Sequence, residues 1–398
     1  FLAQRGQPGD AEQALAHYTR CHEVLERLLK QNLDSAQAAR DVSISLNRLG
    51  DILAQRGQPG DAEQALAHYT RDFEISERLL QQNPDSALAA RDVSVSLNKL
   101  GDFLAQRGQP GDAEQALAHY IRSLEVAERL LQQNPDSAEA ARDVSVSLER
   151  LGDFLAQHGQ PGDAEQALAH YTHSLEERER LLKQNPDSAA TAQDVIVSHY
   201  RLGELQVRRE RFDAAITQFQ KGIEVLDAML GKHLNEDATR REKALFEERV
   251  QFCRNMPLLL GDWDTFLTID AEALPAALSQ RVTLLAQRGR MADVAQAGAK
   301  LRELAADAKP GSPNEQQRVM LYNAACAYGL CAALVVCDKP EPSEAEQVEQ
   351  RKFIDLSLAC LKEAIAAGWD DFEHMRQDSD LTSLHNLPEF EALFPKDE

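Results

Sequence analysis

The string LAQxGQPGDAEQALAHY begins at Leu2, Leu53, Leu104 and Leu155, each start 51 residues after the last. QNxDSA begins at Gln31, Gln82, Gln133 and Gln184, and Leu-Gly followed by an acid begins at Leu49, Leu100, Leu151 and Leu202, with the same spacing. A period of this size marks a stacked array, in which each unit buries its apolar face only against its neighbours. Within a unit the apolar rhythm is helical. Val93, Leu97, Leu100 and Leu104 fall four, three and four residues apart, which places them on one helix face. Ala116, Leu117, Tyr120, Leu124, Ala127, Leu130 and Leu131 repeat that rhythm in a second segment. Gln109-Pro110-Gly111 is a turn between the two, and Asp112 with Gln115 reads as a variant capping box. Asn134-Pro135-Asp136-Ser137 ends the second segment, and Asp136 or Ser137 can cap the next helix. Each unit is therefore expected to be two antiparallel helices of about 22 residues.

Those residues resemble the tetratricopeptide repeats. The family pattern is matched by Leu97, Leu100-Gly101 and Leu104 in the first helix, and by Ala116, Tyr120, Ser123 and Pro135 in and after the second. The match recurs in each unit over about residues 1–230. The usual period of such repeats is about 34 residues. Three extra residues in the Gln-Pro-Gly turn and seven in each helix account for the difference, and seven residues is close to two helical turns, so the apolar stripe stays in phase. From Gly203 to Ala215 the insertion in the turn is gone, and Phe219 and Gly222 take the aromatic and small positions. The resemblance implies an all-α, right-handed superhelical solenoid of antiparallel helix pairs. It also implies a concave inner face, lined by the first helices, that binds protein or peptide.

The regular array is expected over 1–203, with divergent helices of the same kind over 204–308 and a degenerate repeat with a cap over 309–398. In the middle region the pattern predicts helices over 238–255, ended by Met256-Pro257, then 258–268, 274–287 and 291–306. Loops are predicted over 309–313 and 338–343, with a helix from about Ala345 to Ala367. The tail, from Gly368-Trp369 to Leu393, is similar to the closing segment of tetratricopeptide regions that follow kinase or signalling domains in large bacterial proteins. That implies a bacterial multidomain parent. Trp369, Phe372, Phe390 and Phe394 are suited to cover the last apolar face.

Charge narrows the function. Lys and Arg number 43 against 65 Asp and Glu, a net charge of -22. Such a chain lacks the basic footprint of a nucleic-acid binder and is repelled by an anionic membrane surface. No apolar run approaches 18 residues, so no membrane span is expected. Six cysteines at no regular spacing suit a reducing cytosol. No phosphate-cradling loop, dinucleotide glycine pattern or catalytic elbow is present, and neither an enzyme nor a cofactor is expected. His17, His68, His119 and His170 recur with the period, but equivalent positions on successive repeats lie on the order of 10 Å apart, too far to share a metal ion. Cys326, Cys331, Cys337 and Cys360 contain no CxxC and read as small core residues. The single Cys21-His22 pair stands where other units have unrelated residues.

The first-helix rows are the candidate site. They run Arg40, Arg91, Arg142; Ile44, Val95, Val146, Val197; Asn47, Asn98, Glu149, Tyr200; Asp51, Asp102, Asp153, Glu204; and Gln55, Gln106, Gln157. A partner segment carrying Lys or Arg would find hydrogen-bonding groups and negative charge at regular intervals. A non-catalytic protein- or peptide-binding scaffold is the expected function, with a structural spacer or oligomerisation arm as the alternative. Phe1-Leu2-Ala3 aligns with Ile52-Leu53-Ala54, late in a first helix, so a longer natural protein with at least the missing helix is expected. End-to-end association through the uncovered face bearing Leu15 and Tyr18 is expected as well.

Overall fold

The computed structural model describes residues 9–307, 315–337 and 339–395, so the predicted loop over 309–313 and residue 338 lie outside the described residues. Every regular element among them is helical. The chain divides into two compact units, Phe1–Cys253 and Arg254–Glu398.

In the first unit the 51-residue period becomes a stack of antiparallel pairs. The second-type helices are α1 (Asp10–Gln31), α3 (Asp61–Gln82), α5 (Asp112–Gln133) and α7 (Asp163–Gln184), each of 22 residues. The first-type helices are α2 (Ala36–Arg56), α4 (Ala87–Arg107), α6 (Ala138–His158) and α8 (Ala189–Arg208). The shorter-turned α9 (Phe212–Gly231) and the start of α10 (Glu236–Leu260) complete the unit.

The ends are set by two small devices. Ser35, Ser86, Ser137 and Ser188 cap the first helices, each hydroxyl accepting from the backbone N–H three residues on. The predicted Asp112 capping box does not form. Gly60, Gly111 and Gly162 hold the N-cap positions at φ 85°, 86° and 92°, in the left-handed region where a Cβ is strained. Asp112 instead sits one residue inside the helix, accepting from the Gln109 N–H at 2.9 Å and from both arms of Arg107 at 2.9 and 2.7 Å. Asp61 makes the same set with Gln58 and Arg56. The guanidinium bonds are the main reason that both carboxyls titrate below the usual range.

Pairs are locked by an aromatic ring laid on a glycine. A Cβ on Gly50, Gly101 or Gly152 would stand 2.6, 2.8 and 2.7 Å from the rings of Tyr69, Tyr120 and Tyr171. Phe219 over Gly203 and Phe246 over Gly222 continue the contact into the divergent end. Around the rings of Tyr120 and Tyr171, Leu104, Ala116, Leu151, Leu155 and Ala167 are buried almost completely.

The second unit contains the end of α10, then α11 (Trp263–Phe266), α12 (Leu274–Ala286), α13 (Met291–Ala306), α14 (Glu315–Val336) and α15 (Glu344–Ala366). A short α16 (Phe372–Gln377), a 3-10 turn over Ser379–Leu381 and α17 (Pro388–Glu391) follow. Pro257 does not end α10, contrary to expectation; the helix runs through it to Leu260. Its terminal carbonyls are taken up by a buried side chain: Arg281 donates to Leu259 O at 2.8 Å and Gly261 O at 2.9 Å while lying over the rings of Phe266 and Trp263. Helix α14 packs between α13 and α15. It is the one described helix long and apolar enough to cross a membrane by length and composition, and 67% of that stretch is buried within the protein. Phe390 and Phe394 are buried in the cap, with Phe372 edge-on to Phe394.

The ring-on-glycine contact yields a test. Tyr120 is buried and its hydroxyl is tied down, so its ring has no free direction to move. Gly101→Ala is expected to lower stability by about 1–3 kcal/mol, read as a lower denaturation midpoint of the full chain.

Candidate functional site

The rows anticipated on the first helices are assembled, and the Arg row and the acid row are engaged by the neighbouring repeat. In each unit the Arg is followed by Asp, and the pairing runs from one unit to the next. Arg40 on α2 forks onto Asp92 on α4 at 2.5 and 3.0 Å. Arg91 takes Asp143 on α6 at 2.7 and 2.9 Å and also reaches Glu139. Arg142 meets Asp194 on α8 at 3.0 Å. In the fourth unit Gln193 replaces the arginine and its amide donates to Glu242 at 2.8 Å. The bonds to Asp92 and Asp143 hold the Arg40 and Arg91 guanidinium groups above their ordinary value.

A second rail follows the acid row. The hydroxyls of Tyr69, Tyr120 and Tyr171 donate to Asp51, Asp102 and Asp153 at 2.8, 2.8 and 2.7 Å. Each of those carboxylates also faces a cation of the next unit: Lys99 at 2.7 Å, Arg150 at 3.2 Å and Arg201 at 3.2 Å. Burial, and then the adjoining carboxylate, raise the three phenols far above their ordinary value, so they act as donors throughout. Phe219 has no hydroxyl. Its counterpart Glu204 instead takes Arg249 as a fork at 2.7 and 2.9 Å.

The Asn47, Asn98, Glu149, Tyr200 row breaks the repetition. Asn47 donates to Asp72 at 3.2 Å. Asp72 is buried, and Ser96 at 2.9 Å and Ser43 also donate to it. It has no cationic partner among the described residues, and burial raises its carboxyl above the usual range. Asn98 carries a buried Oδ1 without a hydrogen-bond partner. Glu149 is buried against Arg178 at 2.6 Å, with Ser198 at 3.0 Å and Arg201 in contact. Tyr200 packs against the rings of Phe219 and Phe246, centroids 6.0 and 5.6 Å away.

Between the rails lies the β-branched row, left open. Ile44, Val95 and Val146 are 45%, 48% and 37% exposed, and Val197 is half-buried. A half-open hollow of about 400 Å³ separates α2 from α4, walled by Arg40, Ile44, Asn47, Asp72, Val95 and Lys99. Gln55 and Gln106 line a second hollow beside Asp51 and Tyr69, and Gln157 a third beside Tyr171. The repeated histidines do not gather. His68, His119 and His170 are half-buried with burial lowering their pKa, and His22 and His68 lie edge to face at 6.4 Å. The cysteines do not converge on one another either: Cys326, Cys331 and Cys360 are buried apart and Cys337 is exposed.

Sequence reasoning found the rows but not their mutual pairing. The signal was there, because an Arg-Asp dipeptide repeated every 51 residues sets each Arg 52 residues before an Asp. Asp72, Arg178 and Arg281 were missed, each occurring once at a position without periodic support.

Two outcomes are expected. Glu149→Ala leaves Arg178 buried without a carboxylate and should cost roughly 3–5 kcal/mol in equilibrium unfolding. At Asp72 the folded pKa exceeds the unfolded one, so its protonated form favours folding and that contribution is lost as pH rises through the folded pKa. Asp72→Ser, which copies Ser123 and Ser174 of the sister repeats, should therefore raise Tm at neutral pH. The gain should shrink as pH falls into the acid range, as read from thermal melts.

No family model matches the chain. Protein NCA1 of Arabidopsis thaliana is 28% identical over 95 residues, which is 24% of this chain and 22% of that protein, so the match spans about a fifth of the relative's length. Among solved structures, BtubC from P. vanneervenii is 17% identical, covering 61% of this chain and 87% of that one, at a TM-score of 0.42. The designed helical repeat protein DHR64 is 17% identical over 51% of this chain and 97% of its own, at 0.24. The human IFIT1 dimer with PPP-AAAA is 13% identical over 86% and 68%, at 0.26. The chain is an all-α helical-repeat solenoid of consecutively packed helix pairs.

Proposed function

We propose that the chain is a tetratricopeptide-like, non-catalytic scaffold that binds a protein or peptide segment along its first-helix face. One observation carries the reading. Ile44, Val95 and Val146 form an exposed β-branched row on a face where the flanking charges already have partners. Isolated exposed apolar residues are ordinary, but a row repeated at every unit is the pattern of a binding surface. Apolar anchors in the partner would seat on this row, and the rails would align its backbone. The net charge of -22 favours a partner with Lys or Arg beside those anchors, through faster and salt-sensitive encounter. The bacterial, cytoplasmic setting and the larger signalling protein suggested by the sequence belong to this proposal.

The alternative of a structural spacer draws on the interchangeable junctions, since α2–α4 and α4–α6 are joined by the same kinds of Arg–Asp and Asp–cation pair. A displayed random-peptide library separates the two. Selection on the full chain should enrich segments with spaced apolar residues near Lys or Arg. Val95→Asp with Val146→Asp should weaken those binders at least tenfold at unchanged Tm. Indifference of every selected peptide to the double variant would remove the binding reading. Retained binding after deletion of residues 87–137, one whole unit, would shift the weight to the spacer.

A further inference from the structure

Cys326 reads from the sequence as a small core residue, yet the fold of the second unit brings it against the segment that follows α15. Tyr322 and Cys326 lie one turn apart on α14, and the 3-10 turn after α16 carries Asp378 and Asp380 to them. The sulfur of Cys326 and a carboxylate oxygen from each of Asp378 and Asp380 all lie within 4.8 Å of one another. Cys326 Sγ is 3.6 Å from Asp378 Oδ2, and His374 Nε2 is 3.5 Å from the same oxygen. We propose that Cys326, Asp378 and Asp380 are a binding site for one divalent transition-metal ion, with Zn²⁺ the best fit and the adjacent His374, outside the converging trio, able to turn onto the ion.

Three features carry the inference. The first is spacing. Cys326 donates its S–H to Asp378 Oδ2 at 3.6 Å, and two ligands of one tetrahedral ion, with bonds of about 2.3 Å to sulfur and 2.1 Å to oxygen, would stand at about that same separation. The second is uncompensated charge. Neither Asp378 nor Asp380 has a Lys or Arg partner among the described residues, and the Asp380 carboxylate accepts no hydrogen bond from them. Two adjacent carboxylates beside a buried thiol form an anionic pocket that a dication would neutralise. The third is a supporting shell. Tyr322 donates to Asp378 Oδ2 at 2.7 Å, and the Asp380 N–H donates to Asp378 Oδ1 at 2.9 Å. Trp369 stacks on the Tyr322 ring at 3.9 Å. Gly329 gives the turn room, since a Cβ there would lie 2.4 Å from Asp380 O, and Ser383 ties the turn back by donating to Gly329 O at 3.0 Å.

The donor set selects the ion. A thiol in the set, with an imidazole close by, favours zinc-like metals over Mg²⁺ or Ca²⁺, which take oxygen donors. His374 is exposed and gives the ion a route in from solvent. Binding replaces the S–H bond of Cys326 with a metal–thiolate bond and releases one proton to solvent. The bound ion would fasten the terminal segment to α14.

Cobalt(II) tests this directly, because a thiolate–cobalt bond gives a charge-transfer band in the near ultraviolet. The full chain carrying Cys21→Ser and Cys337→Ser, which removes the exposed thiols, should bind one equivalent of Co²⁺. The band should appear, Zn²⁺ should displace it, and Tm should rise. Cys326→Ser should abolish the band and Asp380→Asn should weaken Co²⁺ at least tenfold. No band at one equivalent, or a band retained in Cys326→Ser, overturns the proposal. Should Cys326→Ser fail to fold, undiminished Co²⁺ affinity in the Asp380→Asn variant overturns it instead.

Discussion

The first unit depends on a glycine small enough to admit a tyrosine. With Gly101 bare, the Tyr120 ring lies flat on α4 and its hydroxyl reaches Asp102 one position along. Asp102 in turn receives Arg150 from the following unit. One contact therefore sets the spacing within a pair, and the same side chain hands the geometry on to the next pair. Apolar burial provides most of the driving force, but it is non-directional. The Gly–Tyr–Asp–cation chain is what fixes direction and register.

The charges on this face are best understood as one system. Exposed ion pairs are individually weak, in the range of about 0.2–1 kcal/mol. Here the rail carboxylates are partly shielded, though Arg142 and Arg150 are exposed, and most of them accept from two donors, so the pairs constrain one another's side chains. Near-neutrality of the face follows, even though the chain as a whole is strongly acidic. The open surface that remains between the rails is apolar. A ligand recognised there gains little by competing with the rail ion pairs and more by covering Ile44, Val95 and Val146.

The sequence was informative wherever a pattern repeated. Helix limits near Ala87 and Gln133, the serine caps, and the Gly101–Tyr120 approach all follow from periodicity and end chemistry that act locally. The Asp112 box was misjudged because the Gln-Pro-Gly turn places a left-handed glycine at the cap and turns the carboxylate back onto Arg107. Pro257 was misjudged for a different reason. A proline usually ends a helix, but here one more turn follows it, and Arg281, 24 residues later, holds the carbonyls of Leu259 and Gly261 at and just past that end. The meeting of Cys326 with Asp378 and Asp380 was also out of reach, since Asp378 lies 52 positions further on, past two helices, and no short motif links them.

The Arg-Asp dipeptide also gives the stack a sense of direction. Arg40, Arg91 and Arg142 point toward the following unit and Asp92, Asp143 and Asp194 toward the preceding one, so each of these junctions is a donor meeting an acceptor. Two such units placed face to face would bring like groups together instead. The chemistry of one dipeptide thus acts as a polarity mark, admitting a further unit in one orientation and at one register while rejecting the reverse.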